Sequence, residues 1–382
     1  MPRDLPKTKY RDALLGLILL GAGAALILHP TQSMEAGRQG LQLCFQVIIP
    51  SLFPFFVLSS LVVELGMTQY LGRVVERLMS PLFRVNGAGS CALVLGLVGG
   101  YPIGARTAID LYKKGLCSKT ETQRLLAFCN NCGPAFMFGV VGAGVFASSS
   151  IGFLLYFAHV AASLCIGILF RFYGSETPGA IRSSLPQFQA TRLSTAFTIS
   201  VKNAFASVWN ICAFVVFFTV VIRLLNLWGA MDLSANLLSA LFSLVGFDSA
   251  STRNLLIGLL EVSSGVTSLS GVDGLSGQLT VAAFMLGWAG LSVHCQVLSF
   301  LHDTDLSPGT YLIGKALHGA LAALFTAWLF RLFAPSTPVS GCPNRANAIL
   351  ALTVFLAAVL SAFFLRSIIR KKSGGKRVRH AL

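Results

Sequence analysis

The sequence predicts an all-α polytopic membrane protein, with about eight transmembrane helices and two re-entrant helical hairpins arranged as an inverted-topology repeat. Three observations carry that expectation. The 382 residues are 54% hydrophobic and only 11% charged, more apolar than a soluble core requires. Windows long enough to cross a bilayer recur along the chain. Two greasy stretches, offset by about 160 residues, are each interrupted by short polar, glycine-rich segments. The first reads GLVGGYPIGA (96–105) and then AFCNNCGPAF (127–136); the second reads GLLEVSSGVTSL (258–269) and then AFMLGWAGLSVHCQ (283–296).

The first window, 13–28, follows a basic N-terminus and looks like a signal sequence, but no small-x-small cleavage pattern follows it, so it reads as a retained span. Further spans are expected at 41–65, 122–146, 151–170, 203–228, 279–301, 309–333 and 347–369. The stretches 88–112 and 252–269 are broken near their middles by Gly, Pro or Ser and read as hairpins that enter and leave by one side. Lys and Arg orient the chain. Four precede Ala13, three lie in 66–87, several in 112–124 and seven from Arg366 onward, all compatible with the cytoplasmic side, whereas 263–280 has none and reads as outside. Both termini are then cytoplasmic.

Phe55-Phe56 aligns with Phe214-Val215, His159 with His318, and Leu-Phe-Arg at 169–171 with the same triplet at 329–331. An odd number of crossings separates these pairs, which inverts one copy. The expected organisation is a cytoplasmic segment and first helix (1–40), a first repeat (41–171), a polar cytoplasmic linker (172–202), a second, inverted repeat (203–333), and a last helix with a basic cytoplasmic tail (334–382).

Candidate site residues follow from the interruptions. Asn130 and Asn131, followed by Gly133 and Pro134, sit inside a span, where Pro removes a backbone donor and Gly permits an unwound turn. The freed groups suit a solute, or else form a kink held by neighbouring helices. Glu261 in LLIGLLEVSSG is a carboxylate in an apolar stretch, costly unless used for an ion, a proton or a substrate. Ser263 and Ser264 follow it. An apolar surrounding favours the protonated acid and a bound cation the carboxylate, so Na+ and H+ coupling both stay open. Pairing of Glu261 with Lys315, or a place at the outer interface, is the structural alternative. Gly100, Tyr101 and Pro102 make a tight turn at the first hairpin tip, where backbone can approach a ligand and a phenol can donate a hydrogen bond. Ser292, His294 and Gln296 are expected at the second interruption, as counterparts of Asn130 and Asn131. His159 and His318 read as interhelical hydrogen-bonding residues.

Other chemistries find less support. Six of the nine cysteines lie in apolar segments, where a thiol acts as a small hydrophobe. Cys129 and Cys132 have CxxC spacing, but one pair with two Asn between them is weak grounds for redox or metal work. The basic tail, 370–380, reads as an anchor on the inner leaflet rather than a nucleic-acid site. No Walker A, HExxH or GxSxG pattern occurs, so neither ATP drive nor an enzyme is expected.

The run GGYPIGARTAIDLYKKGLCSKTETQRLLAFCNNCGPAF and the segment GLSVHCQVLSFL resemble the sporulation integral membrane protein YlbJ family, whose members carry nucleoside-recognition, or Gate, domains. The likeness spans roughly 41–333. That family is distantly similar to concentrative nucleoside transporters, whose re-entrant hairpins and broken helices form the solute site. The resemblance implies roles for Tyr101, Pro102, Asn130, Asn131, Pro134, Glu261, His294 and Gln296, and a place in the cell membrane, in spore formers that of the mother cell or forespore. Cys132 stands where relatives commonly have a small hydroxyl residue, which argues further against redox work.

The expected function is therefore an ion- or proton-coupled secondary transporter of a small polar, nucleoside-like solute, associated with sporulation. The alternative is a non-transporting membrane scaffold for spore envelope assembly, and a thiol enzyme built on Cys129 and Cys132 is a third reading. Expected partners are the solute and membrane lipids, not nucleic acid, with a homo-oligomer left open. No cofactor or metal centre is expected beyond Na+ or H+ coupling.

Overall fold

The structure, a computed structural model, describes residues 5–65, 75, 77–174, 192–242, 249–270 and 274–333. Every regular element among them is helical. Among the described residues five helices are long and apolar enough to cross a membrane: Pro30–Leu58, Ser149–Phe170, Leu193–Leu227, Leu275–Leu301 and Pro308–Leu332. Each overlaps an expected span. The span expected at 347–369 and the basic tail lie outside the described residues.

Helix α1 (Leu5–Leu28) contains the first expected span. Helix α2 (Pro30–Leu43) starts with Pro30 in its first turn, where a missing N–H costs nothing. It runs through a widened π turn, Cys44–Ile48, into α3 (Ile49–Glu64). The π turn precedes Pro50, which cannot donate to the Gln46 carbonyl and pushes against it. This helix therefore begins well before the expected boundary at residue 41.

Next come α4 (Ser90–Gly99) and α5 (Ile103–Lys113), joined at Gly100–Pro102, where the Tyr101–Pro102 peptide is cis. Helix α6 (Lys119–Phe128) starts at a capping box, in which Ser118 accepts from the Glu121 N–H and Glu121 accepts from the Ser118 N–H. It stops at Phe128, and residues 130–133 are non-helical before a π-helical segment, Phe136–Val145, resumes the path. Helix α7 (Ser149–Phe170) ends the first half.

In the second half α8 (Leu193–Leu227) starts inside the expected polar linker, about three turns before the span expected from residue 203, and most of its residues there are exposed. Helix α9 (Ala230–Phe242) was not expected from sequence. Then follow α10 (Ser249–Leu260), α11 (Val262–Thr267), α12 (Leu275–Trp288), α13 (Gly290–Leu301) and α14 (Pro308–Phe333). The second break falls at Ala289 and Gly290, both with positive φ. Ser292, His294 and Gln296 lie just beyond it, inside α13, rather than in the break as expected.

One apolar core joins both halves, with α14 packed on α12, α7 and α6. Small residues bring these helices close: a Cβ on Gly287 would stand 2.5 Å from the Gly319 Cα. In lipid, where apolar burial distinguishes helices little from solvent, such close backbone contact supplies the attraction.

Candidate functional site

Both interrupted helices meet a hairpin tip, and glycine makes each meeting possible. Gly100 has φ +79°, and a Cβ there would stand 2.9 Å from the Gly133 nitrogen in the first break. Gly290 has φ +80°, and a Cβ there would stand 3.0 Å from the Val262 nitrogen at the second tip. A side chain at either position meets both an unfavourable backbone region and a clash.

Glu261 forms the second tip. It lies between α10 and α11, with its carboxylate accepting from the Ser263 N–H at 2.9 Å and the Ser264 N–H at 2.6 Å. It thus caps α11, satisfying donors that a helix start leaves open. Lys315 is not its partner, contrary to the structural alternative: that ammonium donates to the Asn130 carbonyl at 2.8 Å.

A cavity with about 580 Å³ of empty space, its mouth included, lies where tips and breaks converge. Gly100, Tyr101, Glu261, Ser263, Ser292 and Gln296 line it, and Cys132 and Gly133 reach it from the first break. Its apolar wall includes Phe55, Phe56, Phe136 and Phe214. Gln296 is held by Asn210, whose amide donates to Gln296 Oε1 at 3.2 Å. Through Phe56, Val98, Tyr101 and Ile211 the cavity adjoins a larger vestibule of about 1800 Å³, lined by Pro102 and by Glu64, Arg106, Asp110 and Asn203.

Behind the cavity lies a second, drier polar cluster. Asn131 Nδ2 and Ser163 Oγ both donate to the Phe128 carbonyl, at 3.0 and 2.7 Å. Asn130 Nδ2 donates to the Tyr311 hydroxyl at 3.3 Å, and that hydroxyl lies 2.9 Å from His294 Nδ1. His294 packs edge-to-face on Trp288, with centroids 4.3 Å apart. The Cys132 N–H donates to His159 Nε2 at 3.0 Å, and His318 Nε2 lies 3.0 Å from the His159 carbonyl. A carbonyl only accepts, so His318 carries its proton on Nε2 and, when neutral, turns a bare Nδ1 toward Lys315 Nζ, 3.5 Å away. The Asn130 and Asn131 side-chain oxygens are buried with no partner in the structure.

Comparison with known proteins agrees with this architecture. A family model described as Gate, nucleoside recognition, matches residues 45–201. The sporulation integral membrane protein YlbJ of Bacillus subtilis (strain 168) is 30% identical over 342 residues, which is 85% of this chain and 84% of that protein. The chain belongs to the YlbJ family. Among solved structures, the concentrative nucleoside transporter CNTnw in an inward-facing substrate-bound state superposes with TM-score 0.55, at 15% identity over 86% of each chain. A CNTnw variant in an intermediate state gives 0.56, at 14% identity over 86% of this chain and 87% of that one. At such identity the likeness establishes fold. This YlbJ-family chain is an integral membrane protein with a fold similar to that of these transporters.

Not all the expected site residues share one pocket in this YlbJ-family protein. Gly100, Tyr101, Glu261, Ser263, Ser292 and Gln296 do, and Pro102 lines the adjoining vestibule. Asn130 and His294 belong to the buried polar cluster, joined through Tyr311, while the Asn131 side chain donates to the Phe128 carbonyl and Ser264 contributes its backbone N–H to the Glu261 carboxylate. Pro134 starts the helical segment after the break. Tyr311 was not expected here, and Lys315 was expected only as a partner of Glu261. The rule that singled out Glu261, an ionisable side chain inside an apolar span, applies equally to Lys315.

Proposed function

We propose that this protein is a secondary transporter of a small polar solute, and that the cavity at the convergence of both tips and both breaks is its solute site. That convergence carries the reading, because a scaffold has no need to gather Tyr101, Glu261, Ser292 and Gln296 around empty space. Rings of Phe55, Phe56, Tyr101, Phe136 and Phe214 suit a flat apolar face, while Glu261 and Gln296 suit polar ring edges. A nucleoside combines both features. Glu261 serves as the group that senses the solute or a coupling proton, and involvement in spore formation follows from kinship with YlbJ.

The two halves, 41–171 and 203–333, act as inverted repeats whose hairpins are re-entrant. Matching contacts support this reading. A Cβ on Gly104 would stand 2.8 Å from the Gly96 Cα in the first hairpin, and one on Gly265 would stand 2.6 Å from the Gly258 nitrogen in the second. The aligned His159 and His318 rings meet with centroids 4.2 Å apart and planes tilted by 48°, as residues near a pseudo-two-fold axis would. Exposed Phe205, Trp209 and Phe217 on α8 face lipid or a second copy.

Thermal unfolding of the purified protein across a panel of nucleosides, amino acids and spore metabolites tests the function. A solute that raises the midpoint of wild type should lose most of that effect in Glu261→Gln, and uptake into proteoliposomes should fall in parallel. Absence of any shift across the panel, with no uptake, would favour the scaffold.

A further inference from the structure

Lys315 is a buried ammonium that the solute site does not use. It lies in α14 and reaches the Asn130 carbonyl just beyond the end of α6, where unpaired carbonyls gather negative partial charge. The groups facing it are His318 on its own helix, His159 from α7, Asn130, Cys129 and Cys132 from the break, and His294 and Tyr311 nearby. Helix α12, which packs along α14, carries no titratable side chain. None of these partners is a carboxylate, and the ion pairs found among the described residues lie elsewhere. In membrane carriers the opened carbonyls of a broken helix are where a dissociable cation settles. Here the Lys315 amine already lies at that place, 2.8 Å from the Asn130 carbonyl.

We propose that Lys315 is the resident cation of this protein: its ammonium occupies the position at the Asn130 carbonyl that a metal ion would otherwise take. Of the two ions the sequence admits, the proton is then the coupling species. Proton coupling rests on the transporter function proposed above; the tethered cation does not.

The test is thermal unfolding of the full-length protein in detergent, with NaCl, KCl or choline chloride at equal ionic strength. Wild type should show one midpoint in all three. Lys315→Ala should lose about 5 °C and regain more than half of that with methylammonium chloride, which fits the vacated space, but not with tetramethylammonium chloride. A wild-type midpoint higher in NaCl than in choline chloride would overturn the proposal, as would an alanine variant indifferent to the small amine. If Lys315→Ala does not fold, Lys315→Met decides: an uncharged side chain that leaves stability at the wild-type level refutes a cation role, whereas loss in Lys315→Met with retention in Lys315→Arg supports it. Failure of every solute in transport would sink the transporter reading and leave these midpoints untouched. A sodium-stabilised wild type would sink the resident cation alone.

Discussion

The tip at Glu261 and the break at 129–133 solve the same problem by different means. Each is a place where a helix ends within the packed helices and leaves backbone groups without partners. At the tip the remedy is local, since Glu261 accepts from amides two and three residues ahead while its carboxylate still lines the cavity. At the break the remedy is remote: Ser163, His159 and Lys315, from α7 and α14, serve the carbonyls of Phe128 and Asn130 and the amide of Cys132. Negative charge meets a helix start, positive charge a helix end, as the helix dipole favours. The difference teaches that one interruption is satisfied by its own residues, while the other draws its partners from the surrounding helices.

The largest effect should come from breaking the contact that ties tips to breaks. Gly100→Ala and Gly290→Ala each force a side chain into a positive-φ position against backbone, at a cost of about 3 kcal/mol. Chemical or thermal unfolding in detergent would show it, and a wild-type midpoint in both variants would mean that the tips do not seat on the breaks as described. Next in size is the cap. Glu261→Ala should cost about 1–2 kcal/mol, and Glu261→Gln, which keeps one oxygen acceptor, less than half as much. Equal losses would show that charge rather than hydrogen bonding makes the tip stable. The smallest effect concerns a surface contact far from both. Asp305 receives a hydrogen bond from Lys119 at 2.7 Å and one from Tyr112 at 2.6 Å, linking the loop before α14 to the end of α5 and the start of α6. The Lys119 ammonium foremost, then the Tyr112 hydroxyl, hold the Asp305 carboxyl below its usual range. A carboxyl so depressed stabilises the fold above its unfolded pKa of about 3.9 and loses that contribution as pH falls through the folded value. Asp305→Asn should therefore narrow the gap between wild type and variant on acidification, by little, because the pair is solvent-screened. A gap that widens toward acid pH would contradict this.

Much of the site was legible because its signals are local. A carboxylate before Ser-Ser-Gly, glycines flanking Tyr101-Pro102 and paired Asn before Gly-Pro each mark an interruption without reference to the rest of the chain. Helix α9 escaped notice because its polar residues and modest length gave it no bilayer-length window. The second interruption, expected within 283–296, opens at Ala289 and Gly290 through backbone conformation, while Ser292, His294 and Gln296 continue as helix.

By itself the chain determined its class, the neighbourhoods of both interruptions and, within the eight spans it led one to expect, the five long apolar helices found among the described residues, since hydrophobicity, proline and glycine act through the residues next to them. Only the tertiary structure decided that Tyr101, Glu261 and Gln296 share a cavity, that Asn130 turns instead toward Tyr311, and that Lys315 answers the Asn130 carbonyl rather than Glu261. Those pairings join residues far apart in sequence, and a buried charge takes whichever compensating group the packed helices bring within reach.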